Sequence, residues 1–290
     1  VDPIKSENHN LKHPRYPVPA YPFPKFATVK AITSGQKIDR DSGCAIRNDW
    51  RPAYGRCDAG MFPAIMVRIS IARTFMPTLQ FWFDFASTYS YLSAMRIEAL
   101  AKAAGVDIVW RPFLLGPIFK AQGWATSPFN LYPAKGRYMV RDIQRIAEAR
   151  GLPFTLPAVF PANSLLAARL ALIGEREGWI AGFTKAVFAA EFGRGEDIAK
   201  PEAMARLLAP LALDAEALLG KAGEPDVKDA LRRQTEQASS IGIFGAPSFV
   251  TAGGELFWGD DRLEQAMGWA RKEDPSARRG VANALAPGAR

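Results

Sequence analysis

Residues 79–92 read Leu79-Gln-Phe-Trp-Phe-Asp-Phe-Ala-Ser87-Thr-Tyr-Ser-Tyr-Leu92, an alternating apolar run that stops at a serine and resumes at a different period. Leu79, Phe81, Phe83 and Phe85 share one face of a strand, opposite Gln80, Trp82 and Asp84. Beyond the serine, Leu92, Met95, Ala99, Leu100 and Ala103 recur at helical spacing, and Gly105 closes that helix. A second apolar run at 106–113 predicts another strand. Strand, helix and strand within about 35 residues make a βαβ unit, which requires parallel strands and a right-handed crossover.

The C-terminal part mirrors this economy. Residues 247–251 and 255–258 flank Ala252-Gly253-Gly254 as a hairpin, and a closing helix is expected over 262–272. Between the two strand pairs, residues 115–130 read as an irregular loop. Helical patterns follow at 135–150, 163–177, 180–192, 201–208, 214–220 and 226–240. Asp214 and Asp226 are expected N-caps, and Pro201 suits a first helical position. The expectation is one split α/β domain over 77–272, carrying a large helical insertion at about 115–240.

Residues 1–77 differ in kind. They hold 12 Lys+Arg against 6 Asp+Glu and 9 of the 22 prolines, with neither helical nor strand periodicity sustained. Most of the net charge of +8 therefore sits outside the expected domain. Residues 1–76 are expected to be a disordered or non-native extension, with Met76 the expected native start, and residues 273–290 a flexible basic tail. A nearly balanced domain without a matching motif argues against nucleic acid as a partner. No apolar run reaches the ~20 residues that span a membrane, and residues 61–75 lack the pattern of a secretory signal. Cys44 and Cys57 lie in the leader and define no disulfide framework, so the expected location is cytoplasmic.

The residue inventory then removes whole classes of chemistry. Both cysteines and both histidines, His9 and His13, precede residue 58. The domain thus cannot use a Cys or His nucleophile, thiol redox catalysis or histidine-bound zinc. Ser87 stands where a helix start favours an anion, including a thiolate. It is also an ordinary N-cap, and no Gly-x-Ser-x-Gly elbow marks it as a hydrolase nucleophile. Pro247 opens a strand, which suits a cis bond that turns the Ala246 backbone toward an extended ligand, or a plain loop proline. Asp260 and Asp261 precede the last helix, as caps or as partners for a ligand ammonium group. Trp82, Tyr89, Tyr91, Phe119 and Trp124 are candidates to line an apolar pocket, or core residues.

Together Phe83-Asp-Phe-Ala-Ser87-Thr-Tyr-Ser-Tyr-Leu92, Pro133-Ala-Lys-Gly-Arg-Tyr-Met139, Phe244-Gly-Ala-Pro247 and Phe257-Trp-Gly-Asp-Asp-Arg-Leu263 occur in one order. In this respect the chain resembles the 2-hydroxychromene-2-carboxylate isomerases and kappa-class glutathione transferases over roughly 79–270. The resemblance implies a thioredoxin-like fold of the disulfide-oxidoreductase type, with glutathione as cofactor. It implies the glutathione sulfur at Ser87, its cysteinyl backbone at Ala246, its γ-glutamyl end at Asp260 and Asp261, and a further contact at Asn130. Lys120 and Phe160 fall at substrate positions. The implied activity is glutathione-dependent isomerisation of an unsaturated aromatic pyruvate. A transferase and a non-catalytic glutathione or peptide binder are the alternatives, and a homodimer is implied. Thr88 replaces the proline of many members, and Trp124-Ala125 a common Gly-Asn pair.

Overall fold

In a computed structural model, which describes residues 76–273, strand β1 (Thr78–Phe83) is the second of four strands ordered β2-β1-β3-β4. β2 (Asp107–Pro112) runs parallel to β1, with Phe81 opposite Trp110, as the βαβ spacing requires. β3 (Ser248–Thr251) pairs antiparallel with β1, and β4 (Leu256–Trp258) antiparallel with β3, which forms the expected hairpin. The expectations for a leader over 1–76 and a tail over 273–290 lie outside the described residues except at Met76 and at Glu273, which ends the last helix.

The alternation in β1 separates two cores rather than a core from water. Leu79, Phe81 and Phe83 enter the larger one, where Phe81 stacks on Phe249 at 5.6 Å. Trp82, on the opposite face, is fully buried with Phe113, Ile118, Ala238 and Val250 in a second cluster. Burying each such aromatic contributes about 2–3 kcal/mol, so both faces of this central strand resist displacement.

After β1, the predicted single helix divides. α1 (Thr88–Ala94) and α2 (Ile97–Ala104) are separated by Met95 and Arg96, and Gly105 closes α2 in the left-handed conformation as expected. Met95 and Arg96 show no Gly or Pro signal; the break serves Arg96, whose side chain reaches Asp260 far along the chain. The stretch read as irregular contains α3 (Leu115–Ala121) and the single turn α4 (Pro128–Leu131). Pro117 lies in the first turn of α3, where its missing N–H costs nothing. Ser127 caps α4 by accepting from the Phe129 N–H, with Pro128 first in the helix.

α5 (Pro133–Ala149) and α6 (Leu165–Glu177) follow close to their predicted bounds. α7 (Ile180–Phe188) ends earlier than predicted, in a π-helical turn at Ala189–Gly193. α8 (Pro201–Leu208) has its proline first, and Asp214 caps α9 (Ala215–Ala222) by accepting from the Ala217 N–H. Asp226 is not a cap. Pro225 is the first residue of α10 (Pro225–Ser240), so Glu224 takes the cap position and Asp226 falls inside the first turn. A short 3-10 turn (Asp260–Arg262) leads into α11 (Leu263–Glu273).

Candidate active site

The β1–α1 turn, α3, the entry to α6, the loop before β3 and the turn after β4 meet at one end of the sheet, with residues 124–129 and part of α5 beside them. They enclose a cleft of about 1360 Å³ whose lining includes Ser87, Lys120, Phe160, Ala246, Asp260 and Asp261. Residues up to 174 positions apart in sequence are thereby brought to one surface.

Ser87 is 8% exposed, and its hydroxyl does two things. It accepts from the Ser90 N–H at 3.2 Å, capping α1, and donates to the Ala246 carbonyl at 3.1 Å. The Ala246–Pro247 bond is cis, as the sequence suggested, and so is Phe160–Pro161, which it did not. α1 has only seven residues, so any anion held at its start is held by local N–H groups, those of Thr88 and Tyr89, which have no intrahelical acceptor. Thr88 occupies the first helical position and donates its hydroxyl to the Met139 sulfur at 3.4 Å, tying α1 to α5.

The two aspartates have different surroundings. Asp260 is 3% exposed, and its carboxylate accepts from the Ser93 hydroxyl (2.9 Å), Arg96 Nε (3.3 Å) and Arg150 Nη2 (2.7 Å). Arg96 also donates to the Asp260 main-chain carbonyl and to Glu264. The Asp260 carboxylate is therefore committed to holding α1, α2, α5 and the 3-10 turn together. Asp261 is exposed, and its one ion pair among the described residues is with the neighbouring Arg262 at 3.3 Å. Gly259 between Trp258 and Asp260 has φ 108°, and a Cβ there would meet the Asp261 carboxylate at 2.6 Å. Only glycine permits this turn.

Asp84, which the alternation pattern assigned merely to a strand face, is a buried hub. It accepts from the Leu115 N–H (2.7 Å), the Ser164 hydroxyl (2.6 Å) and the Ala86 N–H (3.0 Å), one partner on each of three cleft-forming segments. Burial pushes its carboxyl above the usual range, and the three donors pull it back. Glu191, in the π-helical turn, has no such help. It is fully buried with neither oxygen hydrogen-bonded among the described residues, and burial, then Asp84 and Asp197, hold it well above an ordinary glutamate. Burial without a hydrogen-bond partner disfavours its charged form.

Of the aromatic candidates, Tyr89, Phe119 and Trp124 do line the cleft, the last two 5.6 Å apart. Trp82 and Tyr91 do not. Trp82 belongs to the second core, and Tyr91 is buried with its hydroxyl donating to the Pro153 carbonyl at 2.6 Å. Asn130 also stands outside the lining. The turn of α4 presents residues 126–129 to the cleft and leaves Asn130 exposed, its amide donating to the Thr126 hydroxyl at 3.2 Å. Lys135 and Asp142 line the cleft without having been singled out from sequence, and Tyr89 donates to Asp142 at 2.9 Å. Burial and that bond push the Tyr89 phenol well up, so it remains a donor. Lys135 is adjacent to Gly136, which closes on α4. A Cβ on Gly136 would lie 2.5 Å from the Phe129 carbonyl.

A split sheet closed by a cis-proline loop over a serine-capped helix defines the class, and the family model of the DSBA-like thioredoxin domain matches residues 78–268. The chain belongs to that family. Within it, a 2-hydroxychromene-2-carboxylate isomerase of Sphingobium xenophagum is 30% identical over 188 residues, 64% of this chain and 94% of that protein. The kappa 1 glutathione S-transferase of Homo sapiens is 28% identical over 200 residues, 64% of this chain and 88% of that protein. A solved 2-hydroxychromene-2-carboxylate isomerase structure superposes with a TM-score of 0.63 at 26% identity, covering 71% of this chain and 98% of that one. Among the described residues no helix is long and apolar enough to cross a membrane, and no cluster of metal-ligating side chains occurs.

Proposed function

We propose that the protein is a glutathione-dependent isomerase acting on an unsaturated aromatic pyruvate of the 2-hydroxychromene-2-carboxylate type. The observation that carries this is the Ser87 hydroxyl resting on the Ala246 carbonyl beside cis-Pro247, on the floor of a cleft without cysteine or histidine. A thiol reaction there requires a thiol from a ligand.

The cleft residues fit glutathione. The Ala246 N–H has no partner among the described residues, and its carbonyl accepts only a hydroxyl that can rotate away. An extended peptide pairing with Ala246 would supply its own N–H to that carbonyl and free the Ser87 hydroxyl to turn toward the sulfur. Ser87, with the Thr88 and Tyr89 N–H groups, would then lower the thiol pKa by donating to the anion rather than by removing the proton outright. Asp261 would take the γ-glutamyl ammonium, with Asp260 holding the turn that presents it. When bound, glutathione supplies the thiolate that adds reversibly to the conjugated double bond of the substrate.

The remaining cleft suits that substrate. Its volume exceeds the 300–1,000 Å³ usual for one small ligand, which leaves room for a second molecule beside the tripeptide. Phe119, Trp124, Phe129 and Phe160 are apolar residues of its lining, and Lys120, also in the lining, would pair with a carboxylate. These cationic and aromatic groups favour an anionic aromatic substrate and hence the isomerase over the transferase reading. Cytoplasmic location and a homodimer belong to the same proposal.

The test is incubation of the full chain with 2-hydroxychromene-2-carboxylate, with and without glutathione, followed by chromatography. Conversion to the ring-opened trans isomer with glutathione unconsumed supports the reading. A stable glutathione conjugate would replace it with a transferase, and glutathione binding without turnover would replace it with a binding protein.

A further inference from the structure

A second, smaller pocket of about 320 Å³ opens between α3, α6 and α10. Leu114, Pro117 and Leu165 line both this pocket and the main cleft, so the two share an apolar wall. Leu231 of α10 completes an apolar floor. Around it stand three cations, Arg169, Lys228 and Arg232, against one carboxylate, Glu236.

The charges are unequally answered. Arg232 is engaged by Asp229 at 3.1 Å and Glu236 at 3.8 Å on its own helix. Arg169 and Lys228 form no ion pair among the described residues. Arg169 is the more telling, because its Nε is out of water with no acceptor. On β2, the half-buried Arg111 pairs through its Nη1 with Glu175 at 2.6 Å, an ion pair that Arg169 lacks among the described residues. A desolvated N–H without an acceptor is costly, and a planar guanidinium fork is best matched by a carboxylate.

We propose that this pocket is a second ligand site, for a small aromatic carboxylate. The ring would lie on Leu114, Pro117 and Leu231, and the carboxylate would take the Arg169 fork with Lys228 beside it. The volume is at the low end for small-molecule sites and fits one ring rather than a tripeptide. Helices frame the pocket and offer no free strand edge, so an extended peptide finds no backbone partners there. A bare inorganic anion would leave the apolar floor unused. None of the charged groups belongs to the glutathione reading, so the second site stands or falls separately from it.

The experiment is an amide NMR titration of the full chain with salicylate. Saturable shifts in 165–172 and 228–236 are expected, with affinity falling about tenfold in Arg169→Gln, and less in Arg169→Lys, which keeps the charge but loses the fork. Lys228 is exposed, so Lys228→Ala leaves the fold intact and should weaken binding severalfold. Inorganic phosphate should bind at least tenfold more weakly than salicylate, since it gains nothing from the apolar floor. Shifts confined to the surroundings of Ser87 and Ala246, an unchanged affinity in both Arg169→Gln and Lys228→Ala, or phosphate binding as tightly as salicylate would overturn the proposal. Glutathione titrations of the same variants report on the main cleft alone.

Discussion

Replacing Asp260 by Asn removes the charge on which Arg96 and Arg150 converge while keeping an acceptor for the Ser93 hydroxyl. Breaking a fully buried pair costs about 3–5 kcal/mol, because the surviving charge is stranded. Here the aspartate is 3% exposed but the arginines are 20% and 29% exposed, and Arg96 retains Glu264. Water and Glu264 can therefore answer the freed guanidiniums, which lowers the expected loss to about 2–3 kcal/mol. For a unit of this size that corresponds to a fall in Tm of roughly 4–12 °C. Urea unfolding followed by circular dichroism gives the free energy directly. Arg150→Gln combined with Asp260→Asn should cost less than the sum of the single changes, since both remove the same pair. A loss below about 1 kcal/mol, or strict additivity in the double mutant, would refute the assignment of Asp260 as the anchor of this end of the cleft. The companion change Asp261→Asn should leave stability within about 0.5 kcal/mol and weaken glutathione binding instead.

Glu191 provides a pH test. Its folded pKa is raised, so the folded state holds a proton that the unfolded chain releases above its ordinary value of 4.5. Stability is consequently intact below that value and declines as pH rises toward the folded pKa, by up to about 1.4 kcal/mol per pH unit. Glu191→Gln should then be more stable than the wild type at pH 7.5, with the gap closing toward pH 4.5; a gap independent of pH in urea titrations would show that Glu191 is ionised when folded. Asp84→Asn turns an amide donor toward one of three donors, so a destabilisation of about 1–3 kcal/mol is expected with weaker substrate binding, measured as a rise in KM. Gly136→Ala forces a methyl against the Phe129 carbonyl and should cost about 1–3 kcal/mol despite the better helix propensity, read from the urea midpoint.

Local signals carried much of this structure. The alternation of Leu79, Phe81 and Phe83, the glycines of the hairpin and the proline-first start of α8 are written in neighbouring residues, and each forms where expected. Features depending on distant partners were not legible. Asp84, Arg96 and Arg150 look like ordinary surface charges until folding places beside them distant partners, 31 to 168 positions away. Trp82 was open between pocket and core, because alternation does not reveal that α3 and α10 cover its face. The placement of Ser87 and Ala246 at the cleft was legible through their motifs, whereas Asn130 stands at the exposed end of a one-turn helix with its amide on Thr126, an arrangement that no local spacing encodes.

The central claim is that Ser87 stabilises a bound thiolate. Ultraviolet titration of glutathione on the full chain, with wild type and Ser87→Ala compared, tests it most directly. The account predicts a bound thiol pKa well below the free-thiol value of about 8.5, returning toward that value in Ser87→Ala with affinity largely retained. Bound glutathione that ionises no more readily than free, or identically in both proteins, would contradict it.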